Sequence, residues 1–99
     1  MAEGDHLKGV VITHPHPLYG GNMHNNVVAA VSRTYQKMGR TTLRFNFRGV
    51  GGSRGNYDDG IGEQEDVRAA VACLTDSGIE QIDLAGYSFG AWVNALAVS

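Results

Sequence analysis

One stretch, Ile82 to Leu96, constrains this chain more than any other. Ile82-Asp83-Leu84-Ala85 is a short apolar run that predicts a buried strand. Ala91-Trp92-Val93-Asn94-Ala95-Leu96 is a helix-forming run that follows with no linker. Between them stands Gly86-Tyr87-Ser88-Phe89-Gly90, a G-x-S-x-G pentapeptide. A backbone that passes from strand to helix in so few residues must turn sharply. That turn strains its central residue and pushes the Ser88 hydroxyl outward. Glycine suits positions 86 and 90, because a Cβ there would press strand against helix. The helix N-terminus behind Ser88 favours developing negative charge. The plain alternative is a glycine-flanked turn serine with no chemistry. The pentapeptide alone does not separate the two, since short patterns recur by chance. A strand before and a helix after favour a nucleophile.

The rest of the composition narrows the class. At 99 residues there is room for one small domain and one modest core. The net charge is −2 and no Lys/Arg cluster occurs, which excludes nucleic acid and anionic membrane as partners. No run is long and apolar enough to span a bilayer, and no signal-peptide layout opens the chain. The single cysteine, Cys73, excludes an internal disulfide and fits a reducing cytoplasm. It is expected as a small packing group on a helix flank, since no basic neighbour in sequence lowers its pKa.

Taken in order, Met1 to His6 is polar and expected to fray. Gly9-Val10-Val11-Ile12-Thr13 predicts a strand buried on both faces of a parallel sheet. Two prolines keep His14 to Gly21 out of a helix. Asn25 to Met38 predicts a helix with Val27, Val28, Val31, Tyr35 and Met38 on one face. Thr41 to Phe47 predicts the second strand, followed by a glycine-rich loop from Arg48 to Gly62. Glu63 to Asp76 predicts a helix with Val67, Ala70, Val71 and Leu74 inward, an acidic first turn, and Ser77-Gly78 as its stop. The order β-α-β-α-β-α gives parallel strands joined by right-handed crossovers, with helices on both faces. The three glycine-bearing loops then leave from the carboxyl edge, where such sheets bind ligands.

Three segments together resemble the alpha/beta-hydrolase fold, in particular small dienelactone-hydrolase-like serine hydrolases. His14-Pro15-His16-Pro17-Leu18-Tyr19-Gly20-Gly21 resembles the family's first glycine loop, which supplies half the oxyanion hole. Asn46-Phe47-Arg48-Gly49-Val50-Gly51-Gly52-Ser53 resembles its R-G-x-G-x-S loop, and Gly86 to Gly90 its nucleophile elbow. The resemblance covers nearly the whole chain. It implies a three-layer α/β/α fold with a short parallel sheet and an esterase-type activity. It implies Ser88 as catalytic nucleophile, Phe89 N–H as one oxyanion donor, and a second donor from the first loop. Pro15 and Pro17 carry no N–H, so His16, Leu18 and Tyr19 stand as candidates. The usual place in related loops favours His16, while the inserted Pro17 shifts the turn toward Leu18. By family analogy Arg48 and Ser53 tie the second loop to backbone. The departure lies at the other end. The fold's triad runs Ser, then Asp or Glu, then His. Only eleven residues follow Ser88, none acidic and none histidine. The chain is therefore expected to be a single partial domain (residues 1–99), an N-terminal fragment lacking the C-terminal half and, by itself, nearly inactive.

Rival readings are weaker on their own terms. Thr13-His14-x-His16 begins like the T-H-x-H-x-D-H zinc motif of metallo-beta-lactamase-like hydrolases, but Leu18 and Tyr19 replace its Asp and His. His14 fits better as a hydrogen bonder that positions its loop. A base role for His14 or His16 lacks an orienting carboxylate, since Asp58 and Asp59 fit an exposed turn with Gly60. Gly49-Val50-Gly51 opens like a dinucleotide-binding G-x-G-x-x-G, but Arg54 takes the sixth place and no helix follows. Phe89 and Trp92 are expected as core or pocket wall. The sequence thus predicts a cytoplasmic serine hydrolase without cofactor or metal, acting on a small-molecule acyl substrate. A three-stranded sheet with the first strand central leaves the elbow strand's edge open. That predicts self-association or a complementing C-terminal fragment.

Overall fold

The β-branched run Val10-Val11-Ile12 sits in the middle of a three-stranded sheet of order β2-β1-β3, all parallel. The computed structural model describes residues 7–98. Met1 to His6, expected to fray, lies outside the described residues. The elements are β1 (Lys8–Thr13), α1 (Asn26–Lys37), β2 (Thr41–Arg44), α2 (Glu63–Asp76), β3 (Gln81–Gly86) and α3 (Phe89–Ala97), with a 3-10 turn at Pro17–Tyr19. Alternation along β1 divides the core. Val10 and Ile12 meet Val28 of α1 on one face. Val11 meets Ala70 and Leu74 of α2 on the other. Phe47, Val67, Phe89 and Val93 continue that second layer under the loops. This is a three-layer α/β/α arrangement with a short parallel sheet.

Several boundaries differ from expectation for local reasons. β2 stops at Arg44, three residues before the predicted end at Phe47. Phe47 is fully buried, but its N–H is taken by the His14 ring rather than by a neighbouring strand. β3 was expected to be buried. Among the described residues it is an edge strand paired only with β1, and Gln81, Asp83 and Gly86 are exposed. On α1 the inward face is narrower than predicted. Val28 and Ser32 are buried, with Val31 and Tyr35 half-buried beside them, while Val27 and Met38 are exposed. Val27 is about 100° round the helix from Val28, and Met38 is the C-cap. Cys73 is exposed, not packed, because it precedes Leu74 of the Val67-Ala70-Leu74 stripe by one position.

Two ties fasten the long β2–α2 loop onto α2. The Glu63 carboxylate, fully buried at the first residue of α2, accepts from Asp58 N–H (2.8 Å) and Gly60 N–H (3.0 Å). Asp66 one turn on accepts from Arg48 Nη2 (2.9 Å) and Arg48 N–H (3.0 Å). The acidic first turn is thus spent on holding the loop as well as on the helix dipole. Arg48 binds a carboxylate rather than backbone, which corrects its expected role. Ser53 does bind backbone, donating to Asn46 O at 2.7 Å. No helix among the described residues is long and apolar enough to cross a membrane.

Candidate active site

The backbone turns between β3 and α3 at Ser88, with φ 58° and ψ −115°. Positive φ is uncommon for a residue with a Cβ, and here it folds the chain back within two residues. Ser88 is exposed and its hydroxyl has no partner among the described residues. Helix α3 begins at Phe89, two residues earlier than predicted, so the Phe89 N–H is the first amide of the helix. Amides in a first turn have no intrahelical acceptor. The turn is pinned by Tyr87 N–H to Thr13 O (3.3 Å) and by Gly90 N–H to Tyr87 O (3.1 Å).

Both glycines leave room for Thr13, whose Oγ1 a Cβ on either would approach to 2.6 Å, and each also faces a second neighbour. A Cβ on Gly86 would stand 2.6 Å from Ala91 N, in the helix behind it. A Cβ on Gly90 would stand 2.6 Å from Thr13 Oγ1 and 2.7 Å from His14 O, at the end of β1. Gly90 therefore brings the helix N-terminus against the start of the first loop, rather than against its own strand as predicted.

In that loop His14 is fully buried, and both ring nitrogens are committed. Nδ1 lies 2.7 Å from Pro15 O, which only accepts, so Nδ1 carries the proton. Nε2 accepts from Phe47 N–H at 3.0 Å. Desolvation lowers the His14 pKa below its ordinary value, partly offset by the Pro15 carbonyl, and holds the ring neutral. His16 is likewise committed. Its Nδ1 accepts from Leu18 N–H at 3.1 Å, and its Nε2 lies 3.0 Å from the Tyr57 hydroxyl. Tyr19 N–H goes to His16 O at 3.1 Å, and Gly21 N–H to the same oxygen at 3.0 Å. Of the three candidate amides, those of Leu18 and Tyr19 are engaged within the loop. The His16 N–H is not. The Leu18 and Tyr19 side chains point outward, 66% and 87% exposed.

The ring of His16 also brings the first loop to the elbow, since its centroid lies 4.8 Å from that of Phe89 with the planes tilted by 54°. Phe89 is buried in the core, and Trp92 is half exposed with its ring 5.8 Å from that of Phe89. Tyr57 completes this cluster and was not singled out from the sequence, where it is one polar aromatic in a glycine-rich loop. Desolvation, with Asp59 adding to it, raises the Tyr57 pKa and keeps the hydroxyl protonated. Among the described residues no group of three His, Cys, Asp or Glu side chains converges as metal ligands. Beyond the open edge of β3 lies a groove of about 260 Å³ lined by Leu84, Gly86, Ala91, Asn94, Ala95 and Val98. The buried Asn94 amide has no hydrogen-bond partner on either atom among the described residues.

No family profile matches the chain. An uncharacterized protein of Rickettsia prowazekii (strain Madrid E) is 46% identical over 85 residues, 84% of this chain and 36% of that protein. The structure of an alpha/beta serine hydrolase homologue from Coxiella burnetii matches with a TM-score of 0.87 and 44% identity, over 93% of this chain and 44% of its own. A lidless alpha/beta serine hydrolase family member from Xanthomonas campestris matches with a TM-score of 0.90 and 40% identity, over 94% of this chain and 43% of its own. The chain thus resembles alpha/beta serine hydrolases in fold and sequence over nearly all its length, and spans less than half the length of these relatives.

Proposed function

We propose that Ser88 is the nucleophile of a serine hydrolase that cleaves an ester, thioester or related acyl bond. The observation that carries this reading is the exposed, positive-φ Ser88 directly ahead of the free first amide of α3. In the first step Ser88 Oγ attacks the acyl carbon and its proton passes to a base. The carbonyl oxygen becomes an oxyanion, received by the Phe89 and His16 N–H groups. The carbonyl re-forms, the alcohol or thiol leaves with the proton, and an acyl-serine remains. Water then releases the acid and restores Ser88.

His16 is preferred over Leu18 and Tyr19 because their amides already have acceptors. The imidazoles of His14 and His16 are both spent on loop contacts and do not serve as the base. The isolated chain is therefore expected to turn over substrate barely at all. The lone exposed Cys73 accords with a reducing compartment, and we place the protein in the cytoplasm.

The test is labelling with a fluorophosphonate, on folded and on urea-unfolded chain. Preorganised amides exist only in the folded state, and a single donor is typically worth ~10²-fold or more. Ser88 in the folded chain should react at least that much faster, and Ser88→Ala should abolish the difference. Equal rates in the two states, or labelling elsewhere that survives Ser88→Ala, would reject the nucleophile.

A further inference from the structure

We infer that Tyr57 is a positioning residue for the oxyanion amide of His16, so that the β2–α2 loop sets the reactivity of Ser88. The inference rests on the hydrolase reading above and adds a residue to it.

The direction of the His16 N–H is decided by the Pro15–His16 peptide, which is trans. Its carbonyl is drawn toward His14 Nδ1 at 2.7 Å. In a trans peptide the N–H points opposite to the C=O, so the His16 amide is turned away from the buried His14 ring. That plane stays fixed only if the rest of His16 does. Its side chain is held at both nitrogens. Nδ1 accepts from Leu18 N–H, so a neutral ring carries its proton on Nε2 and donates it to the Tyr57 oxygen.

Tyr57 is itself a firm support. Asp58 and Gly60, one and three residues on, donate their amides to the buried Glu63 carboxylate at the head of α2. Its ring lies 5.1 Å from that of His16 and 5.9 Å from that of Phe89. With the 4.8 Å contact between His16 and Phe89, three rings close a triangle. Two of its corners are side chains of the residues whose main-chain N–H groups meet the oxyanion. The third, Tyr57, fixes the spacing of the other two. A packing role alone would need the ring only. The hydrogen bond needs the hydroxyl.

Tyr57→Phe separates these roles, since it keeps the ring and the fold. With the hydroxyl gone, the His16 ring releases Leu18 N–H more often. Leu18 amide exchange should rise about fivefold to tenfold, the effect of losing one ordinary hydrogen bond, while the sheet amide of Val11 is unchanged. On the fluorophosphonate reaction the maximal labelling rate should fall by a similar factor, with the half-saturating probe concentration unaltered. Unchanged Leu18 exchange and labelling would overturn the proposal. So would a parallel rise at Val11, which would mean general loosening. Should labelling survive Ser88→Ala, the hydrolase reading fails separately, and Leu18 exchange still reports on whether the phenol holds His16.

Discussion

Replacing Ser88 by glycine is expected to make the folded chain more stable while abolishing its reaction with a fluorophosphonate. At φ 58° and ψ −115° Ser88 holds a conformation that side chains resist. Such strain costs on the order of 1–3 kcal/mol. Inverted in sign, the same angles lie near the polyproline II well, and glycine occupies both signs about equally. Glycine therefore relieves the strain, though it loses roughly 0.5–1 kcal/mol through a freer unfolded chain. Ser88→Ala is the proper reference. It removes the same hydroxyl, keeps the Cβ, and as a surface change should shift stability by about 0.5 kcal/mol or less. The net advantage of Ser88→Gly over Ser88→Ala is thus about 0–2.5 kcal/mol, centred near 1 kcal/mol. For a domain of this size each kcal/mol moves Tm by roughly 4–8 °C. Urea and thermal melts of the three proteins, followed by circular dichroism, read it directly. A glycine variant no more stable than the alanine variant would refute the reasoning. It would mean that no strain is stored at Ser88.

His14 must remain neutral to accept from Phe47 N–H, and its pKa is lowered by burial from 6.5, so the unfolded chain takes its proton first as pH falls. Stability should therefore decline below that pH and level off beneath the folded pKa, and an NMR titration placing His14 at or above 6.5 would contradict this. The open edge of β3, with half-buried Ile82 and Leu84 beside the unpartnered Asn94 amide, should make the isolated chain self-associate. Sedimentation should show dimers or larger species, whereas a well-folded monomer with open β3 amides would refute it, and a complementing segment added in trans would compete for the same edge.

Features written in one local signal were legible in the sequence. β1 is a run of β-branched residues, α2 has an acidic start and a Ser77-Gly78 stop, and Ser88 stands where a strand meets a helix. What escaped depends on partners far along the chain. Phe45-Asn46-Phe47 has strand composition, yet it leaves the sheet because the Phe47 amide answers a histidine 33 residues earlier. Arg48 pairs with Asp66 across 18 residues, and Tyr57 with His16 across 41. No periodicity carries such pairings. β3 has the composition of a buried strand, but burial depends on what lies beside it, and one of its edges is free.

The same division explains how a strained serine persists at all. Its strain of roughly 1–3 kcal/mol must be outweighed by contacts that disappear if the turn relaxes. Phe89 and Val93, one turn apart on α3, are buried against Phe47 and Val67. Burying such side chains contributes roughly 1.5–3 kcal/mol each, so the pair alone exceeds the strain. That packing fixes α3, the β1 ladder fixes β3, and Gly86 and Gly90 let the two approach. Ser88 is the residue left to absorb the mismatch between them. The burial that holds the helix therefore also projects the hydroxyl, and a cavity at Val93 should lower the reactivity of Ser88 as well as stability.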